Sequence, residues 1–204
     1  SLFTPSFGYR FAHMALASFL TASLVVAGVS AWFILQKREL EANKKALSIA
    51  LWFLLVLAPL QAVVGDFHGL NTLKHQPIKV AAMEGNWETS SQVPLLLFAI
   101  PDKENQTNHF EVAIPGLASY VLTHDWDGVV PGLNEVPVEE QPPVFIVFWS
   151  FRIMVGLGLL MIAFGVWGLV LRRKGGIYHN NIFLNGLRFM SLSPFIAVLA
   201  GWVV

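Results

Sequence analysis

The chain has 204 residues, of which 55% are hydrophobic and only 13% charged, about half the charged share of an ordinary soluble domain. Its mean hydropathy of +0.59 leaves too little charge to solvate a globular surface, which excludes a water-soluble enzyme and a disordered chain alike. Zero cysteines exclude a disulfide scaffold, cysteine-ligated zinc, covalently attached c-type haem and iron–sulfur ligation, and a net charge of zero gives no reason to expect a nucleic-acid partner.

In chain order, the first apolar run covers residues 11–35, 25 positions without Asp, Glu, Lys or Arg. At about 1.5 Å per residue it crosses a hydrocarbon layer of roughly 30 Å. Residues 46–64 give a second, 19-residue span with Pro59 near its end. A polar stretch, 65–143, holds eleven acids against three lysines. Residues 144–171 form a third span interrupted only by Arg152, and the fourth starts near Ile182, carries Arg188 early and is uncharged from Phe189 onward. The expected fold is therefore all-α: a transmembrane bundle of four spans with a long loop between the second and third. It divides into 1–64 (helices one and two), 65–143 (the loop) and 144–204 (helices three and four).

The connections carry opposite signs. Lys37, Arg38, Lys44 and Lys45 outnumber Glu39 and Glu41 after the first span, and Arg172, Arg173 and Lys174 follow the third. Short basic links mark the cytoplasmic side, so the acidic segment and the N-terminal end are expected to face outward. With no initiator Met and an apolar run at Val204, the chain reads as an internal piece of a longer membrane protein.

Ionisable residues at membrane depth are costly and usually functional. His13 lies near the outer end of span one and Met154 about ten residues into span three, which also enters from outside. Such a pair could ligate one haem iron, and Met/His ligation raises the reduction potential. Equally, a membrane histidine can hydrogen-bond a neighbouring carbonyl, and a methionine in an apolar helix can simply pack. Arg152 needs an anionic partner, which a haem propionate or a carboxylate on another helix would supply; the alternative is snorkelling to the surface. Arg10, three residues before His13, is a propionate candidate or an interfacial anchor.

The polar segment begins GDFHGLNTLKHQPIKVAAMEGNWE, residues 65–88. Gly65 and Gly69 allow a tight turn at the membrane exit, and Pro77 can open a helix carrying Lys79 and Glu84. A lysine and a carboxylate at a water–lipid boundary suit a site that hydrogen-bonds a quinol and removes its protons; a solvated helix end fits as well. Five residues apart, about 140° round a helix, the two are not an obvious ion pair.

That segment, with YRFAHMALA before it and FWSFRIMVGLGLLM after it, closely resembles subunit I of cytochrome bd-type quinol oxidases, nearest to the cyanide-insensitive branch with a short quinol loop. The likeness covers essentially the whole chain. The resemblance implies that His13 and Met154 are the axial ligands of the low-spin haem b558. It implies that Arg152 supports that haem when reduced, and that Lys79 and Glu84 serve quinol binding and oxidation. It further implies a multi-pass enzyme of the bacterial inner membrane with the quinol loop on the periplasmic side, in contact with lipid and a second subunit (subunit II). By the same resemblance, haem b595 and haem d are expected in the full-length protein only. The family's N-terminal helices, its Gly-Arg-Gln-Pro-Trp motif and a glutamate haem ligand expected past Val204 are absent from these residues, so this piece is expected not to reduce oxygen by itself. Two rivals follow from other classes: a haem-b anchor of a quinone-linked dehydrogenase, usually with two histidines per haem, and a non-redox transporter with His13 and Arg152 along a substrate path.

Overall fold

A computed structural model of the chain describes residues 5–204. It is mostly helical, and four of its helical stretches are long and apolar enough to cross a membrane. Three are the continuous helices α1 (Phe7–Leu35), α2 (Leu40–His75) and α5 (Val144–Arg173). The fourth, Asn181–Val203, is built from α6 (Asn181–Met190) and α7 (Ser193–Val203) with a turn between them. Pro194 sits in the first turn of α7, where its missing N–H costs nothing.

Helix α2 departs from expectation. Gly65 and Gly69 do not turn the chain; the helix runs through both to His75. A glycine weakens a helix interior by about 1 kcal/mol without forbidding it. The break comes instead at Gln76, with φ −142° and ψ 60°, because the ring of Pro77 excludes the preceding residue from helical geometry. Pro77 then opens α3 (Pro77–Glu84) as expected, and Gly85, at φ 69°, closes it. Asn86 N–H bonds back to the Ala81 carbonyl at 2.9 Å.

The chain divides into two compact units, and α2 and α5 contribute to both. The first comprises Asp66–Ile153, Ala200–Val204 and the described residues up to Tyr9. Here the long polar stretch is folded rather than looped. Strands β1 (Leu95–Asp102) and β2 (Thr107–Ile114) pair antiparallel, from Leu95 opposite Ile114 to Asp102 opposite Thr107. Helix α4 (Leu117–Thr123) and two short 3₁₀ turns follow. Leu96 and Ala99 of β1 bury themselves with Phe148 of α5, while Ala81, Ala82 and Met83 of α3 pack with Trp87, Leu133 and Val147. Gly132 lets the 130–134 segment press on the backbone after α3: a Cβ there would stand 2.3 Å from the Glu88 carbonyl carbon.

The second unit comprises Arg10–Gly65 and Met154–Leu199. Its core joins Leu20, Leu24 and Ala27 of α1, Leu47, Leu51 and Leu54 of α2, Met161 of α5, and Phe183 and Leu187 of α6. Gly28 permits a close crossing, since a Cβ there would lie 2.6 Å from Ser191 Cβ; small residues serve this purpose between membrane helices. The outward faces carry Phe19, Trp32, Trp52, Phe53 and Val166 exposed, surfaces suited to hydrocarbon rather than to water.

Candidate functional site

The first unit brings together two residues that the sequence places 68 positions apart. Glu84, the last residue of α3, and Arg152 on α5 form a salt bridge, Arg152 Nη2 to Glu84 Oε2, at 2.7 Å. Both side chains are buried, 11% exposed for Arg152 and 6% for Glu84. Arg152 therefore does not snorkel; its partner is a carboxylate on another helix. Its Nε also donates to the Leu96 carbonyl of β1 at 2.5 Å, and the guanidinium lies 4.7 Å from the centre of the Phe148 ring. A buried pair of this kind is held in one geometry by its extra hydrogen bonds, because the desolvation of both charges must be offset.

Glu84 is placed by its neighbours along the chain. Gly85 takes the left-handed turn, and a Cβ there would meet Phe148 and Leu96 at 3.2 and 3.3 Å, so glycine is required on both counts. Its carbonyl accepts from Asn108 Nδ2 of β2 at 3.0 Å. Asn108 Oδ1 in turn accepts from the Trp87 indole N–H at 2.9 Å. Lys79, one and a half turns before Glu84 on α3, is partly buried. Asn108, Trp87 and the Leu96 carbonyl are parts of this arrangement that sequence reasoning missed. Only Trp87, inside the quoted motif, carried a signal.

The candidate haem ligands His13 and Met154, with Arg10, lie in the second unit, whereas Arg152 belongs to the first. His13 is half-buried on α1, and its ring rests against the α2 backbone at Gly65. A Cβ at that glycine would stand 3.2 Å from His13 Cε1. One turn before Gly65, Gln61 keeps its Oε1 buried without a hydrogen-bond partner among the described residues. Met154 is half-buried on α5. Gly158, one turn further along the same face, has no atom within 4 Å of where a Cβ would stand. An imidazole and a thioether on different apolar helices are donor types that suit a low-spin haem, with Gly65 beside the imidazole and the orphaned Gln61 acceptor one turn away. Arg10 is exposed, three residues before His13. Among the remaining histidines, His75 Nδ1 bonds the Asn71 carbonyl at 2.9 Å, and His109 lies 3.3 Å from Asp102.

A family profile for cytochrome bd terminal oxidase subunit I matches residues 1–204. The chain belongs to that family. It is 30% identical over 210 residues to the cytochrome bd ubiquinol oxidase subunit 1 of Bacillus subtilis, covering 98% of this chain and 45% of the relative. Against the cytochrome bd-II ubiquinol oxidase subunit 1 of Escherichia coli the identity is 26% over 269 positions, covering 98% of this chain and 52% of the relative. The structure of bd oxidase from Geobacillus thermodenitrificans superposes with a TM-score of 0.87 at 29% identity, over 98% of this chain and 46% of that one. The chain thus spans about half the length of the family members it matches. The helical bundle expected for a bd subunit I is the one observed, with the addition of the β1–β2 hairpin.

Proposed function

We propose that this chain is the quinol-oxidising, low-spin-haem portion of a cytochrome bd-type terminal quinol oxidase subunit I. The observation that carries the reading is the buried Glu84–Arg152 pair. It unites the carboxylate of the quinol-loop motif with the arginine of the Phe-Arg-Ile-Met motif, in a chain that matches the family throughout.

In this reading the quinol binds on the outer side beside α3. Lys79 donates a hydrogen bond to a quinol oxygen, and Glu84 stands within the same short helix to accept a proton. Quinol oxidation releases two protons and two electrons; the protons leave outward, so charge separation follows from the side on which the site faces. Arg152, held by Leu96 and Phe148, fixes the carboxylate. His13 and Met154 would hold haem b558, with Arg10 as cationic company for its propionates. When bound, that haem supplies a one-electron acceptor whose potential is raised by the thioether. Haems b595 and d, and with them oxygen reduction, would belong to other parts of the protein, and subunit II would be the protein partner.

The test is a reduced-minus-oxidised optical spectrum of the purified membrane protein, wild type beside Met154→Leu. Loss or shift of the low-spin b-type band, with the other haem bands kept, is expected. An unchanged band would remove Met154 from the ligand set and favour a bis-histidine anchor.

A further inference from the structure

The β1–β2 hairpin touches one member of the buried ion pair directly and, beside the other, the residues that follow it in the chain. From β1, the Leu96 main chain accepts from Arg152. From β2, Asn108 spans the two residues that flank the turn after Glu84, donating to the Gly85 carbonyl at 3.0 Å and accepting from the Trp87 indole at 2.9 Å. The chemistry of the partners fixes which way the amide points. An indole N–H only donates and a carbonyl only accepts, so the amide oxygen must face Trp87 and the nitrogen must face Gly85. Among side chains of this length, only the amide offers one donor and one acceptor in that order without taking up a proton. The left-handed turn at Gly85 leaves the Glu84 carboxylate at the end of a helix, where its direction depends on what holds the next residues. On one side the 130–134 segment holds them, through Asn86 Nδ2 to the Pro131 carbonyl and Leu133 N–H to the Asn86 carbonyl. On the other side the holder is Asn108.

We propose that Asn108 is a positioning residue of the quinol-oxidising site: it aims the Glu84 carboxylate by clamping Gly85 and Trp87 to the hairpin. This inference rests on the reading of Lys79 and Glu84 as the quinol-oxidising residues. Asn108 does not itself meet the quinol. It acts through the turn, and its loss changes where the proton acceptor points rather than whether the protein folds.

The substitution that isolates this role is Asn108→Asp. It keeps the shape and the acceptor for Trp87, and it replaces the donor to Gly85 with an oxygen that repels the carbonyl. Trp87→Phe breaks the same bridge from the other end while keeping an aromatic ring in the core. Both are made in the purified oxidase with haem content read optically, beside Glu84→Gln as reference. The expected result is a kcat per haem lowered about tenfold in N108D with KM changed less than about twofold, the pattern of an interaction realised in the transition state. W87F should move in the same direction, and the double variant should fall short of the product of the two effects. A purely structural role would lower thermal stability or haem content and leave kcat per haem within about twofold of wild type, which would overturn the proposal. Should N108D not assemble, W87F alone decides by the same criterion. If E84Q abolishes turnover while N108D and W87F turn over normally, Asn108 is not a positioning residue and the quinol-site reading survives. If E84Q itself turns over normally, that reading falls and this proposal with it.

Discussion

Arg152 is surrounded by groups that leave it one conformation: a carboxylate, a main-chain oxygen and an aromatic face. Removing the guanidinium strands a carboxylate that is 6% exposed. Arg152→Leu should therefore destabilise the protein by about 3–5 kcal/mol, whereas replacing both partners with apolar residues of similar volume should recover most of that loss. Thermal unfolding in detergent of the single and double variants checks this, and equal losses in both would show that the pair is not what holds the site. At this scale the sequence was partly legible. An arginine inside an apolar span had to have an anionic partner, and a carboxylate on another helix was among the candidates. That the partner is Glu84 was not legible, because a contact 68 residues apart depends on how α3 and the hairpin pack on α5.

Helix starts and stops were easier to read where proline set them, as at Pro77, and harder where glycine only permits a turn, as at Gly65 and Gly69. There the helix continues, and Gly65 serves a neighbouring ring rather than a bend. The hairpin escaped notice because β1 reads LLLFAI, a continuous apolar run, and alternation is the usual mark of a strand with one buried face. Its turn was nonetheless written in the sequence. Asp102 accepts from the side chain of Asn105, from the backbone N–H groups of Glu104 and Asn105, and lies against His109. The Asn105 bonds, then the His109 contact, hold its carboxyl down at about 2. Because the folded value lies below the ordinary one, the turn's stabilisation is complete above about pH 4 and is lost as pH falls toward about 2. Amide exchange at Glu104 and Asn105, corrected for intrinsic rates, should show flat protection from pH 8 to about 4 and a decline below it. Asp102→Ala should abolish that decline by removing the protection at every pH; a decline that persists in D102A would assign it to another group.

For the whole molecule, the four spans were read from charge and length alone, and the family likeness from three motifs in order; both are upheld. The basic links predict which side each connection faces, and that expectation is open to a direct trial. The chain has no cysteine, so a single introduced thiol is a unique reporter within it. Glu139→Cys, in the exposed stretch before α5, should react in intact cells with a membrane-impermeant maleimide. Lys174→Cys, in the exposed link after α5, should react only after permeabilisation. The reverse pattern would invert the expected orientation.

The bond from Arg152 to Leu96 ends on a peptide oxygen, and this governs how the hairpin can evolve. No exchange of side chains at position 96 deletes that acceptor, so amino-acid drift along β1 is survivable wherever the core packing is kept. Losing one residue from the strand is another matter, because it would bring a different peptide unit opposite the arginine and turn each side chain to the other face. The pairing already carries irregularities between Leu96 and Phe98 and between Phe98 and Ile100, so its phase is set by residue number as much as by chemistry. Relatives of this chain should therefore vary in the exposed letters of β1 and in length at the 103–106 turn, and keep the number of residues within the strand unchanged.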